Sequence, residues 1–169
     1  MMIKFIKGPI MAIAWTILRI WLGYQWIEAG YYKIKLGFNA GGFIQGAIAN
    51  ANGGSPTVQG WYASFLEKVA LPNIDLFNIL IPWGEFLVGL GLILGLATIP
   101  ALIGGAFMNA NFIMAGVGLA SLDTKLFAVA MILLFVGTAR YYYGLDRFAI
   151  PFIKAAFNKN VVKQIKVSA

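Results

Sequence analysis

Four long, continuous apolar stretches dominate the chain, at about residues 9–31, 77–97, 100–121 and 125–143. At about 20 residues per crossing, each is long enough to pass through roughly 30 Å of bilayer hydrocarbon. The runs are continuous, whereas the strands of a small membrane barrel would alternate over about ten residues, so helices are predicted. The expected architecture is an all-α integral membrane protein, a single membrane domain over residues 1–169 built as a four-transmembrane-helix bundle. The first stretch follows Lys4 and Lys7 as a signal peptide would. It is longer than an h-region, holds Arg19 and several Trp and Tyr residues, and lacks a small-residue cleavage site, so it reads as a retained helix.

The connections between the stretches are unequal. The second and third are joined by little more than Ala97-Thr98-Ile99-Pro100, a tight hairpin on the cytoplasmic side. Between the first and second lies an outer loop, residues 32–76, broken by Gly41-Gly42, Gly53-Gly54-Ser55-Pro56 and Leu71-Pro72-Asn73. Within it, Phe43 to Ile48 and Trp61 to Leu71 predict two short helices, with Trp61, Tyr62 and Phe65 at headgroup level. They would form a cap through which a polar substrate could enter. The tail, residues 146–169, mixes Phe148, Phe152, Ile153 and Phe157 with Lys154, Lys159, Lys163 and Lys166, the pattern of a cytoplasmic amphipathic helix lying on membrane lipid.

Composition narrows the chemistry. The chain is 60% hydrophobic and 11% charged, against roughly a quarter charged in ordinary soluble proteins. Its mean hydropathy is +0.80. There is no Cys and no His, which removes disulfides, thiol chemistry, the usual zinc ligand sets and His-ligated haem. No metal is expected, and redox chemistry would need an organic carrier or a partner's cofactor. The net charge of +7 is mostly a topology signal. Lys4 and Lys7 at one end and Arg140, Arg147, Lys154, Lys159, Lys163 and Lys166 at the other outnumber Lys33, Lys35, Lys68 and Lys125, so both termini of this multi-pass cell-membrane protein are predicted to be cytoplasmic. Bases clustered beside a membrane exit need no nucleic acid to explain them.

The polar residues inside the apolar stretches are few. Each ionisable group there costs about 2.5–3.5 kcal/mol on insertion scales and is a functional candidate by default. Arg19 lies near mid-depth of the first stretch, Glu28 nearer its outer end, and Glu85 in the outer half of the second. Counted from the predicted span ends, Arg19 and Glu85 differ in depth by roughly one helical turn, and they are predicted to interact. Asn109 and Asn111 add polar groups near mid-depth of the third stretch. Arg19, Gly23, Trp26, Gly30 and Lys33 follow steps of 4, 3, 4 and 3 and share one helix face. Gly91-x-x-x-Gly95 in the second stretch suits close helix contact. Each signal also has a packing explanation: a buried Arg19–Glu85 pair can set helix register, and Asn109 and Asn111 can bond between helices. Trp26 and the other aromatics can be core or interface residues, or an aromatic wall that suits a quinone ring.

Three segments resemble the DoxX/DoxD membrane-protein family. The first stretch carries Leu18-Arg19-Ile20-x-x-Gly23-x-x-Trp26-x-x-x-Gly30-x-x-Lys33, and the second Glu85-Phe86-Leu87-Val88-Gly89-Leu90-Gly91-Leu92-Ile93-Leu94-Gly95-Leu96. The exit of the fourth carries Gly137-Thr138-Ala139-Arg140 and Leu145-Asp146. The long outer loop, with Gly60-Trp61-Tyr62 and Pro72-Asn73, is most similar to the DoxD branch. That resemblance implies the membrane subunit of a thiosulfate:quinone oxidoreductase, passing electrons from thiosulfate to membrane quinone, with a DoxA-like second subunit as partner.

The residues are compatible with that chemistry. Lys33, Lys35 and Arg19 offer a cationic path for a dianion, and Glu85 is a candidate to relay the protons that quinone reduction consumes. Arg19 and Glu85 are thus the candidate catalytic residues, with Trp26, Lys33, Asn109, Asn111 and Arg140 as candidate substrate or quinone contacts. In particular, Asn109 or Asn111 would donate a hydrogen bond to a ring oxygen. Two other readings stay open: a non-catalytic scaffold that docks a redox or sulfur-transfer protein, and a small-molecule permease, for which four helices would need a homo-oligomer.

Overall fold

The computed structural model describes residues 8–53, 56–137 and 143–155, and among them the regular structure is helical throughout. Helix α1 runs Pro9–Leu36. Pro9 sits in the first turn, where its missing N–H costs no hydrogen bond, and Gly37, at φ 80°, ends the helix. Helix α2, Gly41–Ala51, and helix α3, Gly60–Phe65, form the cap. The chain continues from α3 through a π-helical turn, Leu66–Ala70, and a tight turn, Leu71–Asn73, into α4, Ile74–Leu94. Helix α5 is Thr98–Met114 and α6 is Leu122–Phe135. Residues 146–155 form α7.

These bounds differ from the hydropathy boundaries in an instructive way. The first apolar run predicts an end near residue 31, but α1 continues to Leu36, where Gly37 ends it, and so carries Lys33 to a carboxylate on α4. The third run continues to residue 121, yet α5 stops at Met114, where Gly116 turns at φ 95°. Apolar character persists through the turn while helical geometry does not. Of the predicted tail, only 146–155 falls within the described residues. There Phe148, Phe152 and Ile153 are exposed on the same short helix as Arg147 and Lys154.

Close backbone approach fixes how α1 meets α4. A Cβ on Gly30 would lie 2.6 Å from Phe86 N, and one on Gly89 would lie 2.5 Å from Ile27 N, so neither position has room for a side chain. Gly23 in turn faces Gly89 and Ile93. This antiparallel register puts Glu85 level with about Ala29, and Arg19 level with Gly95. The bundle interior below the cap is mainly apolar: Leu22, Leu92, Leu102 and Leu133 are fully buried, packed with Trp26. A second apolar core, built from Ile44, Ala47, Val58, Tyr62, Leu66 and Ala115, joins the cap to the end of α5. The outward surface is apolar as well, with Ile13, Ile17, Leu87, Phe107 and Phe135 exposed, and α1 and the α3–α4 segment are long and apolar enough to cross a membrane.

Candidate functional site

Lys33 and Glu85 meet at the cap end of the bundle. Lys33 Nζ donates to Glu85 Oε1 at 2.5 Å, with the two side chains 28% and 2% exposed. The second oxygen, Oε2, is buried without a hydrogen-bond partner. The ammonium also stands 5.3 Å from the ring centre of Phe38 and 5.6 Å from that of Phe112, an arrangement that holds a cation by the negative faces of the rings. Above the pair, between the cap and helices α4, α5 and α6, lies a cavity of about 530 Å³. That size is ordinary for a small-molecule site. Its walls are mainly apolar and aromatic, including Phe38, Phe43, Phe65, Phe77, Phe107 and Phe112, and its polar lining comes from Lys33, Tyr62, Asn111 and Asp123.

The cap is tied down over this cavity. Tyr62 donates its hydroxyl to Asn111, whose backbone and side-chain oxygens lie at 3.1 and 3.0 Å. Burial pushes the Tyr62 phenol above its ordinary value, so the hydroxyl keeps the proton it donates. Asn78 Oδ1 accepts from Ala40 N at 2.8 Å, binding the start of α2 to α4. Phe43 of α2 and Phe112 of α5 stack edge to face with ring centres 6.0 Å apart.

A separate polar cluster occupies the opposite end. Arg19 is fully buried and donates from Nη2 to Tyr143 O at 3.1 Å. Asp146 accepts from Ala97 N and Thr98 N, both at 2.8 Å, one on each carboxylate oxygen. It thereby caps α5 from 49 positions downstream and steadies Ala97 at φ 52°, a backbone conformation that residues with a Cβ rarely adopt. The backbone of 145–146 donates to Leu94 O and Gly95 O, so the chain after α6 is fastened to the α4–α5 hairpin.

The DoxX family model matches residues 14–116, more than half of the chain. The chain belongs to the DoxX family. No curated protein and no solved structure matches it. With its apolar helices, it is a helical membrane protein of that family.

In this DoxX protein the expected Arg19–Glu85 contact is replaced by two separate arrangements. Glu85 pairs with Lys33, and Arg19 bonds to Tyr143. The depth estimate put Arg19 and Glu85 about one turn apart, whereas in the real register Glu85 lies level with a point about ten residues beyond Arg19 on α1, roughly 15 Å along the helix. Lys33, Lys35 and Arg19 accordingly do not converge on an anion path. Lys33 is paired to Glu85, and Lys35 lies 5.7 Å from the ring centre of Tyr31. Arg19 is 14 positions from Lys33 on the same helix, about 21 Å away along its axis.

The remaining candidates divide. Asn111 lines the cavity; one N–H of its Nδ2 goes to Phe107 O and its Oδ1 takes the Tyr62 hydroxyl, which leaves the second amide N–H to donate to a ring oxygen. Asn109 is fully buried with both side-chain polar atoms unpartnered. Trp26 packs in the apolar core against Leu22 and Leu102. Arg140 lies outside the described residues. Three cavity residues escape a reading of the spans alone: Tyr62, Phe112 and Asp123. The aromatic density of the cap loop hinted at the first, and nothing in the sequence marked Asp123 beyond its place at a helix start. Among the described residues no cluster of acidic side chains is arranged to hold a metal ion.

Proposed function

We propose that this DoxX protein is the quinone-binding membrane subunit of a quinone-linked oxidoreductase. In this reading α1, α4, α5 and α6 cross the bilayer with the cap at the outer face and both termini in the cytoplasm. The carrying observation is the cavity itself: its aromatic walls suit a flat, apolar ring, and Lys33, paired to Glu85, stands in its wall. Lys33 would direct its ammonium to a ring carbonyl, and Tyr62 and Asn111 hold the roof in place. A quinone supplies two-electron, two-proton carrier chemistry.

The electron donor is proposed to be thiosulfate or a related reduced sulfur compound at the outer face. Two thiosulfates joining through a new S–S bond release the two electrons that a quinone takes up. The cavity is too apolar to hold a dianion, which favours a second, DoxA-like subunit as the place where the sulfur compound reacts.

The test is titration of a short-chain quinone into the purified protein, followed by quenching of its tryptophan fluorescence. Saturable binding, weakened about tenfold or more (1.4 kcal/mol) in Phe112→Ala and in Lys33→Met, supports the reading. Absence of saturable binding in a folded sample would overturn it in favour of a scaffold that docks a redox partner.

A further inference from the structure

Glu85 and Asn109 are sealed inside the bundle, 1% and 0% exposed. Three of their side-chain atoms, Glu85 Oε2, Asn109 Oδ1 and Asn109 Nδ2, are buried without a hydrogen-bond partner. The other such atoms among the described residues belong to Arg19 and Thr98, at the opposite end. Asn111 shows how an asparagine on α5 satisfies itself, since its amide bonds the Phe107 carbonyl one turn back. Asn109 does not take that route.

Helix contacts put these atoms at one level. A Cβ on Gly105 would lie 3.2 Å from Val88 Cγ1, and one on Gly84 3.3 Å from Met108 Sδ. Glu85 and Asn109 each follow the second of these contacts by one position. The layer below gives their direction: Leu92 and Leu102 are fully buried in one apolar cluster, and two turns closer to the cap the same faces carry Glu85 on α4 and Asn109 on α5. The same step takes Leu22 to Ala29 on α1 and Leu133 to Leu126 on α6, neither of which has a polar side chain to offer. Lys33 locates the layer independently: its Nζ bonds Glu85 Oε1 and stands 5.6 Å from the ring centre of Phe112, one turn along α5 from Asn109.

We propose that the protein holds an internal water between Glu85 Oε2 and the Asn109 amide, and that Asn109, acting through this water, is a positioning residue that keeps Glu85 turned to Lys33. The amide donates one N–H to the water and accepts one O–H from it, and the second O–H goes to Oε2. Those are about the three hydrogen bonds that a buried water ordinarily makes. Without it, a carboxylate oxygen and an amide would be out of water with nothing in exchange, which is costly.

A neutral ligand fits because the site is already balanced by Lys33. The other charges toward this end have solvent of their own: Glu28 and Asp123 are half-exposed and Lys125 is exposed. The water site is also distinct from the large cavity. Met108 lines that cavity, and neither Glu85 nor Asn109 does, so the inference stands whatever the cavity binds.

Nuclear magnetic resonance of the purified full-length protein in deuterated detergent, with isotope-labelled asparagine and glutamate, tests this. The wild type is expected to show a cross-peak between the Asn109 amide and water, with the sign of a held molecule, and Asn109→Leu identifies the resonance by removing it. The cross-peak is lost in Glu85→Leu and retained in Glu85→Gln, which keeps an acceptor. A second readout covers the case in which Glu85→Leu does not fold. Of the glutamates Glu28, Glu67 and Glu85, only Glu85 is expected to shift its carboxyl resonance in Asn109→Leu, and Asn109→Ser, whose hydroxyl can hold the same water, returns it toward the wild-type position. Absence of the cross-peak from the folded wild type, or its survival in Glu85→Leu, overturns the proposal. So does a Glu85 resonance that stays in place in Asn109→Leu.

Discussion

Lys33 on α1 and Glu85 on α4 form a 2.5 Å ion pair in which the carboxylate is sealed from solvent and the ammonium is not. That asymmetry predicts unequal costs. Lys33→Met strands a buried carboxylate, and breaking a buried pair from one side costs about 3–5 kcal/mol. Glu85→Gln leaves a lysine that can still reach water and is expected to cost less. The double variant should recover much of the loss from Lys33→Met. Thermal unfolding of the three variants in detergent checks the order, and a Glu85→Gln variant less stable than Lys33→Met would contradict it.

Asp146 caps a helix from a distant part of the chain. Its replacement by Ala removes two acceptors from the start of α5 and is expected to destabilise by about 0.5–2 kcal/mol, the range for helix caps. Asn retains one acceptor and should fall between. Amide hydrogen exchange at Ala97 and Thr98 reads the effect locally, with faster exchange in the Ala variant.

The α1–α4 contact depends on missing side chains. Gly89→Ala forces a Cβ toward Ile27 N and is expected to cost about 1–3 kcal/mol, as overpacking does. Gly46, on α2, has open space around it, so Gly46→Ala should stabilise by about 0.5–1 kcal/mol through helix propensity. Opposite signs from the same chemical change, measured by unfolding, separate close packing from propensity.

Tyr62 predicts a pH dependence. Its phenol is raised in the folded state, so its contribution to stability is complete below the unfolded value of about 10 and is lost as pH rises through the higher folded value. Tyr62→Phe should lose about 0.5–1.5 kcal/mol at neutral pH for the missing hydrogen bond and should flatten the alkaline decline. Unfolding midpoints measured from neutral to strongly alkaline pH supply both numbers.

Much of this architecture was already legible in the chain. Continuous apolar runs can bury their backbone polar groups in a bilayer only as helices or closed barrels, and the absence of alternation selected helices. The spacing of Arg19, Gly23, Trp26 and Gly30 marked the stripe of α1 that is buried. The aromatic outer loop marked a cap, and the few ionisable residues within the spans included Glu85, while its partner Lys33 lies two positions past the predicted end of the first span.

Partner choice belonged to the tertiary structure. Each predicted span end carries an uncertainty of several residues, at 1.5 Å apiece, and these errors add when two helices are aligned by depth. Close contacts at Gly30 and Gly89 set the register and so brought Glu85 to Lys33 instead of Arg19. Asp146 at the start of α5, and Asp123 beside a cavity lined from α1 through α6, are likewise contacts between segments far apart in sequence. Periodicity orders residues along one helix, but the packing of helices against one another decides which of them meet.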